Sequence, residues 1–193
     1  MSKGWTIRIM LVSVALLGVV LGWVELFRIS ATPGEQAAAP ARWPHEEPRL
    51  GDGKRPFLMV FVHPRCDCTH ATLQELDRIL EGRGGSVQVA LVVYQSRALD
   101  EQGGGSEFAP ERWLRKPFTR IQDAGGALAR RFGAATSGEA VLYSSEGKLL
   151  FQGGVTPERA HVGDSQGASK LNAALRLGVA QTGQTNVFGC PLF

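Results

Sequence analysis

One stretch of this chain constrains its fold more than any other. The apolar run Phe57-Leu-Met-Val-Phe-Val62 leads directly into His63-Pro-Arg-Cys-Asp-Cys-Thr-His70, and Leu73, Leu76, Ile79 and Leu80 then recur at helical spacing. The reading is a buried strand that delivers two of the three cysteines, Cys66 and Cys68, to the start of a helix. That position matters chemically. The first turn of a helix leaves N–H groups unpaired and carries partial positive charge, so it favours a thiolate over a thiol.

From Pro56 onward, strand and helix patterns alternate. Strand Phe57–Val62 leads to helix Cys68–Gly82 and then to the β-branched strand Val87–Tyr94. A polar segment holding Gly103 to Gly105 reads as a mobile surface loop, and a short helix is expected around Pro110–Arg115. Asp123 is placed as N-cap of a helix Ala124–Phe132, with Gly133 suited to its C-cap. Strands Glu139–Tyr143 and Lys148–Gln152 flank the turn Ser144 to Gly147, and a final helix spans Gly167–Leu177. The class is α/β, a central mixed sheet flanked by helices. No internal repeat is present.

Ahead of this domain, Lys3 and Arg8 precede an uncharged stretch from Ile9 to Val24, and Trp5 to Phe27 is long enough to span a bilayer. Residues 1–30 are therefore expected to form an uncleaved signal anchor, a transmembrane helix in the inner (cytoplasmic) membrane. Its positive end stays inside, and the soluble domain faces the periplasm or the cell exterior. A cleaved signal peptide is the rival, but the small residues Ala37 to Ala39 lie many positions beyond the apolar core. Residues 31–54, with Pro33, Pro40, Pro44 and Pro48, read as a structureless tether, and residues 55–193 as the folded domain with its C-terminal tail. Of the 193 residues, 21 are Lys or Arg and 18 are Asp or Glu, a formal charge of +3. Pairs such as Arg115 with Lys116 and Arg130 with Arg131 read as solvated faces, so nothing points to nucleic acid.

The order β-α-β-α-β-β-α with a cysteine at the first strand-to-helix junction resembles the thioredoxin-like superfamily. In that family C-x-x-C precedes an apolar helix of the form x-x-x-L-x-E-L. Here Leu73-Gln-Glu-Leu76 sets the same register, so Cys66 falls on the first cysteine and Thr69 takes the place of the second. The motif is Cys66-Asp-Cys-Thr69, with Cys68 one residue early. Together with Gly153-Gly-Val-Thr, Arg159-Ala-His161-Val-Gly-Asp164 and Phe188-Gly-Cys-Pro-Leu-Phe193, this resembles the RedB-like membrane-anchored bacterial redoxins. The resemblance implies a thioredoxin-like fold over Pro56 to Leu177 and thiol–disulfide chemistry. The stretch Ala135 to Gly138, which stands where the family usually carries a proline opposite the active cysteine, has none.

The residues themselves suggest Cys66 as a nucleophile that attacks a disulfide or an oxidised sulfur on a protein or small molecule. Resolution falls to Cys68, to Cys190 or to an outside thiol. Positions i and i+2 of a helix point apart, so a Cys66–Cys68 disulfide needs a distorted first turn and is strained. Thr69, one helical turn from Cys66, is placed to donate a hydrogen bond to its sulfur. The loop after Gln152 should emerge beside Cys66, with Gly153 and Gly154 permitting close approach and with Arg159, His161 and Asp164 following. His161 there is either an acid–base partner or ligand, or the residue that holds a surface turn.

Two other classes compete with a cofactor-free oxidoreductase. His63, Cys66, Cys68 and His70 fall within eight residues, with His161 and Cys190 available to join them, and thiolate with imidazole suits copper or zinc in a metal-delivery protein. Copper chaperones of the Sco type use the same scaffold, though with C-x-x-x-C spacing. The other class is a thiol peroxidase with Cys66 oxidised to sulfenic acid, but peroxiredoxins present Thr-x-x-Cys and the order here is reversed.

Overall fold

The computed structural model describes residues 3–44, 50–83, 85–96 and 108–193. Two compact units appear, residues 1–32 and 33–193. The first is helix α1 (Lys3–Ala31), whose apolar side chains are exposed around its whole circumference. Its stretch Gly4–Ala31 is long and apolar enough to cross a membrane. At 1.5 Å per residue it runs to about 42 Å, against a hydrocarbon thickness of about 30 Å.

In the second unit the described residues form one five-stranded sheet. Strand β1 (Phe57–Val62) is followed by α2 (Asp67–Ile79), β2 (Gln88–Gln95), a 3-10 turn at Pro110–Arg112, β3 (Thr119–Ala124), α3 (Ala127–Arg131), β4 (Glu139–Tyr143), β5 (Leu149–Gly153) and α4 (Gln166–Leu177). The spatial order is β3-β2-β1-β4-β5. β1 and β2 run parallel, as do β2 and β3, while β4 is antiparallel to both β1 and β5.

Central β1 is buried at all six positions because both faces are covered. Leu58, Val60 and Val62 meet Leu73 and Leu76 of α2 and Leu171 of α4, while Phe57, Met59 and Phe61 meet Phe132, Ala129 and Tyr143 on the other side. The unbroken apolar run thus serves two cores at once.

Two expectations need correction. Thr119–Ala124 is a strand paired with β2, so the chain carries one strand more than the pattern suggested. Its exposed edge position removes the apolar alternation that would reveal it. Asp123 still caps the following helix, but from the strand end: its carboxylate accepts from the N–H groups of Leu128 and Ala129.

The stretch expected to be a structureless tether is docked from Pro33 to Pro44. The N–H groups of Gly34, Ala37 and Trp43 donate to the carbonyls of Val187, Gly133 and Gly147, and Trp43 packs against Phe57, Phe132 and Tyr143. Arg115 is exposed, as read, and also pairs with buried Asp77 at 2.9 Å, which ties its loop to α2. The glycine loop 103–105 lies outside the described residues.

Candidate functional site

β1 ends at Val62, and a tight turn carries the chain into α2: the N–H of Cys66 donates to the carbonyl of His63 at 3.1 Å. Cys66 is the N-cap of α2, in an extended conformation with φ −99° and ψ 114°. The turn is braced from β4's approach. Ser137 Oγ accepts from the N–H of His63 at 2.8 Å and lies 2.9 Å from Thr69 Oγ1. Thr69 also donates to the His63 carbonyl, so its hydroxyl is committed to the turn and not to the Cys66 sulfur as expected. Thr69 is a positioning residue.

All three cysteines are free and converge. The Cys66 sulfur accepts from the N–H of Cys190 at 3.3 Å, and the thiols of Cys68 and Cys190 both turn toward it. Cys66 and Cys68 therefore do not point apart. Helical periodicity fails for this pair because Cys66, as the N-cap, is not yet helical. The hydrogen bond from the Cys68 thiol, offset in part by burial and reinforced by the thiol and N–H of Cys190, brings the Cys66 thiol down to about 4.

The other two sulfurs move the opposite way. Cys68 is held protonated by its bond to Cys66, by burial and by the Cys66 charge, with the N–H of Ala160 pulling weakly against them. Burial first, then its bond to Cys66, pushes Cys190 up to about 11, while Arg159 pulls it back. The arrangement favours negative charge on Cys66 over the other two sulfurs.

The loop after β5 does reach the cysteines, but not through His161. Ala160, at φ 55°, presents its N–H to Cys68, whereas the exposed His161 turns Nδ1 back to the Arg159 carbonyl at 2.7 Å and holds a surface turn. Arg159 donates to the carbonyl of Gly189 and so fixes the tail beside Cys190. Gly153 and Gly154 do permit a close approach, though it is the backbone of residues 185–187 that comes near.

His63 stacks on Tyr94, its basicity lowered mainly by burial, and its Nδ1 accepts from the N–H of Arg65. His70 lies flat on Trp113, 3.7 Å between ring centres. His63, His70 and His161 are thus held apart on separate partners. Among the described residues no group of three or more His, Cys, Asp or Glu side chains is arranged to hold a metal ion.

Two contributors escaped the sequence reading. Ser137 carries the brace just described, and its only signal was its place opposite Cys66. Glu75, buried within the helix register, accepts from the N–H of Gly163 at 2.6 Å and clamps the loop bearing Arg159 and Ala160 against α2.

A parallel β1-α2-β2 unit joined to an antiparallel β4-β5 hairpin, with Cys66 where β1 meets α2, decides the architecture. The fold is thioredoxin-like. A hypothetical protein of Sinorhizobium meliloti is similar to it with 20% identity over 84% of this chain and 94% of its own, at a TM-score of 0.59. An uncharacterized conserved protein from Geobacillus kaustophilus matches with 18% identity over 84% and 93%, at a TM-score of 0.58. A thioredoxin-like protein from Aeropyrum pernix matches with 15% identity over 85% and 98%, at a TM-score of 0.48. No family model and no curated protein matches the chain. The loop Ala135–Gly138 opposite Cys66 is covered by the chain's own tail: the N–H groups of Ser137 and Leu192 donate to the carbonyls of Cys190 and Ala135.

Proposed function

We propose that this protein is a membrane-anchored thiol–disulfide oxidoreductase in which Cys66 is the nucleophile. The observation that carries this reading is a buried sulfur at the N-terminus of α2 that receives donors from both of the chain's other cysteines. A sulfur so placed is a thiolate at neutral pH, and the thiolate is the form that attacks a disulfide. In the first step Cys66 Sγ bonds to one sulfur of the substrate disulfide, and the other sulfur leaves as a thiolate that takes up a proton from water. A mixed disulfide remains on Cys66.

The substrate class is a protein or small-molecule disulfide. Helix α1 tethers the domain to the inner membrane, and the domain faces the periplasm or exterior, where disulfides persist. Of the stretches that resemble RedB-like redoxins, Phe188 to Phe193 places the Cys190 N–H on the Cys66 sulfur and Arg159 to Asp164 holds the Gly189 carbonyl beside it, which supports the same reading.

Thiolate absorbance of the reduced full chain in detergent, titrated from acid to alkali, tests it. One thiolate that forms near pH 4 and is missing in Cys66→Ser, together with loss of oxidised-glutathione reduction in that variant, is the expected result. No thiolate below the ordinary cysteine range, with reduction unchanged in Cys66→Ser, overturns it.

A further inference from the structure

We propose that Cys190, carried by the C-terminal tail, is the resolving cysteine of this site, and that the same tail gates access to Cys66. The inference rests on Cys66 being the nucleophile, as argued above. Cys66 is only 2% exposed, and part of what covers it is the segment Gly189–Pro191. That segment is held by a small set of polar contacts. The carbonyl of Cys190 accepts from the Ser137 N–H at 2.8 Å, Arg159 donates to the Gly189 carbonyl, and Pro191 pairs with Thr136. On either side the chain is anchored apolarly by buried Val187, Phe188 and Leu192. Lifting the short polar stretch uncovers the sulfur without releasing the anchors.

Geometry favours Cys190 over Cys68 for the second step. Cys68 lies in the hydrogen-bonded first turn of α2, and a disulfide to the preceding N-cap distorts that turn. Cys190 is in no helix or strand, and its N–H already sits 3.3 Å from Cys66 Sγ, which places its Cα within about 5 Å of that sulfur. Burial comes first in holding the Cys190 proton, and the bond to Cys66 and the Cys66 charge come next. Once Cys66 is tied up in a mixed disulfide that charge is gone, and the Arg159 guanidinium is left beside Cys190 to favour its thiolate.

The step balances as follows. Cys190 gives up its proton and its sulfur attacks Cys66 Sγ. The Cys66–substrate bond breaks, and the substrate sulfur leaves with the electron pair and takes up a proton. Overall the substrate disulfide is reduced to two thiols, and Cys66 and Cys190 are oxidised to one disulfide that locks the tail in place.

The test mixes the reduced full chain in detergent with oxidised glutathione, quenches by alkylation and maps the disulfides. The wild type and Cys68→Ser are expected to end with a Cys66–Cys190 bond. Cys190→Ser is expected to accumulate the glutathione adduct on Cys66 at least tenfold over wild type, and its near-native circular dichroism would show that the fold persists. A Cys66–Cys68 bond in the wild type, lost in Cys68→Ser and unaffected in Cys190→Ser, overturns the proposal while leaving Cys66 as nucleophile. Unchanged glutathione reduction in Cys66→Ser overturns the underlying reading instead.

Discussion

Two irregular segments close this domain, and they meet: the Gly34 N–H donates to the Val187 carbonyl at 2.8 Å. Pro33–Pro44 enters and the tail from about Gln181 leaves, both leaning on the loop Ala134–Gly138. Their anchoring differs. The entering segment inserts Trp43 among three aromatic rings and wraps a buried node. Gln152 donates to Glu139 and the Ala37 carbonyl, and accepts from the N–H of Ala39 and from Gln184. The leaving segment is apolar at Val187, Phe188 and Leu192, but between Phe188 and Leu192 it is held by polar contacts to its backbone and carries a thiol. One is built to stay, and the other is built to be lifted at one point.

The largest effect that separates them is in pH. Burial under the entering segment pushes the Glu139 carboxyl up from 4.5 to about 8, offset in part by Gln152 and the Ala135 N–H. The folded chain holds that proton more tightly, so the contribution of Glu139 is full below about pH 4.5 and is lost as pH rises through about 8. The loss is roughly 5 kcal/mol. Cys66 under the tail runs the opposite way. Its pKa falls from 9.0 to about 4, so its contribution is full above pH 9 and is lost as pH falls toward 4. In Glu139→Gln, urea stability should rise with pH across this range; in Cys66→Ser it should fall. The same slope in both variants would break the comparison.

Much of this was legible in the sequence, and the parts that were not share a physical cause. β1, α2, the β4-β5 hairpin and α4 announce themselves because each buries a periodic apolar face. Cys66 at the strand-to-helix junction follows from the same pattern. The docked segments have no period. They are fixed by single backbone N–H groups, one tryptophan and one glutamine, and Pro-rich composition resembles a free linker whether or not a surface lies nearby to receive it. The convergence of Cys190 on Cys66 is a contact across 124 positions that no local spacing encodes.

Trp43→Ala should be next in size. Removing a ring packed at 5.0 Å on Phe132 and 5.3 Å on Tyr143 should cost about 2–3 kcal/mol in urea unfolding while leaving the Cys66 titration where it is. A shift in that titration would show that the two segments are not independent.

Gly189→Ala attacks the other segment. A Cβ there would sit 1.9 Å from the Ser137 carbonyl oxygen, so the tail must move away from the loop. With about one backbone hydrogen bond's worth of hold lost, roughly 1 kcal/mol, Cys66 should alkylate about fivefold faster with iodoacetamide, and global stability should fall by little more than that. An unchanged alkylation rate would mean that the tail does not control access.

The last effect concerns the brace beneath both segments. Ser137 Oγ and Thr69 Oγ1, 2.9 Å apart and buried, tie the Ala134–Gly138 loop to the first turn of α2, and Ser137 also accepts the His63 N–H. Ser137→Ala leaves that N–H unpaired and should cost about 1–2 kcal/mol, Thr69→Val about 1 kcal/mol. Because they share one hydrogen bond, the double variant should cost less than the sum, a coupling of about 1 kcal/mol by double-mutant cycle. The Ser137 N–H also holds the Cys190 carbonyl, so slackening this brace should let the Cys190 N–H drift from Cys66 and raise the pH at which the thiolate forms. The Trp43 ring cluster shares no contact with that bond, and thermal unfolding should show the losses from Trp43→Ala and Ser137→Ala to be additive, whereas those from Gly189→Ala and Ser137→Ala should not be. Additivity in the second pair would place the gate elsewhere in the tail.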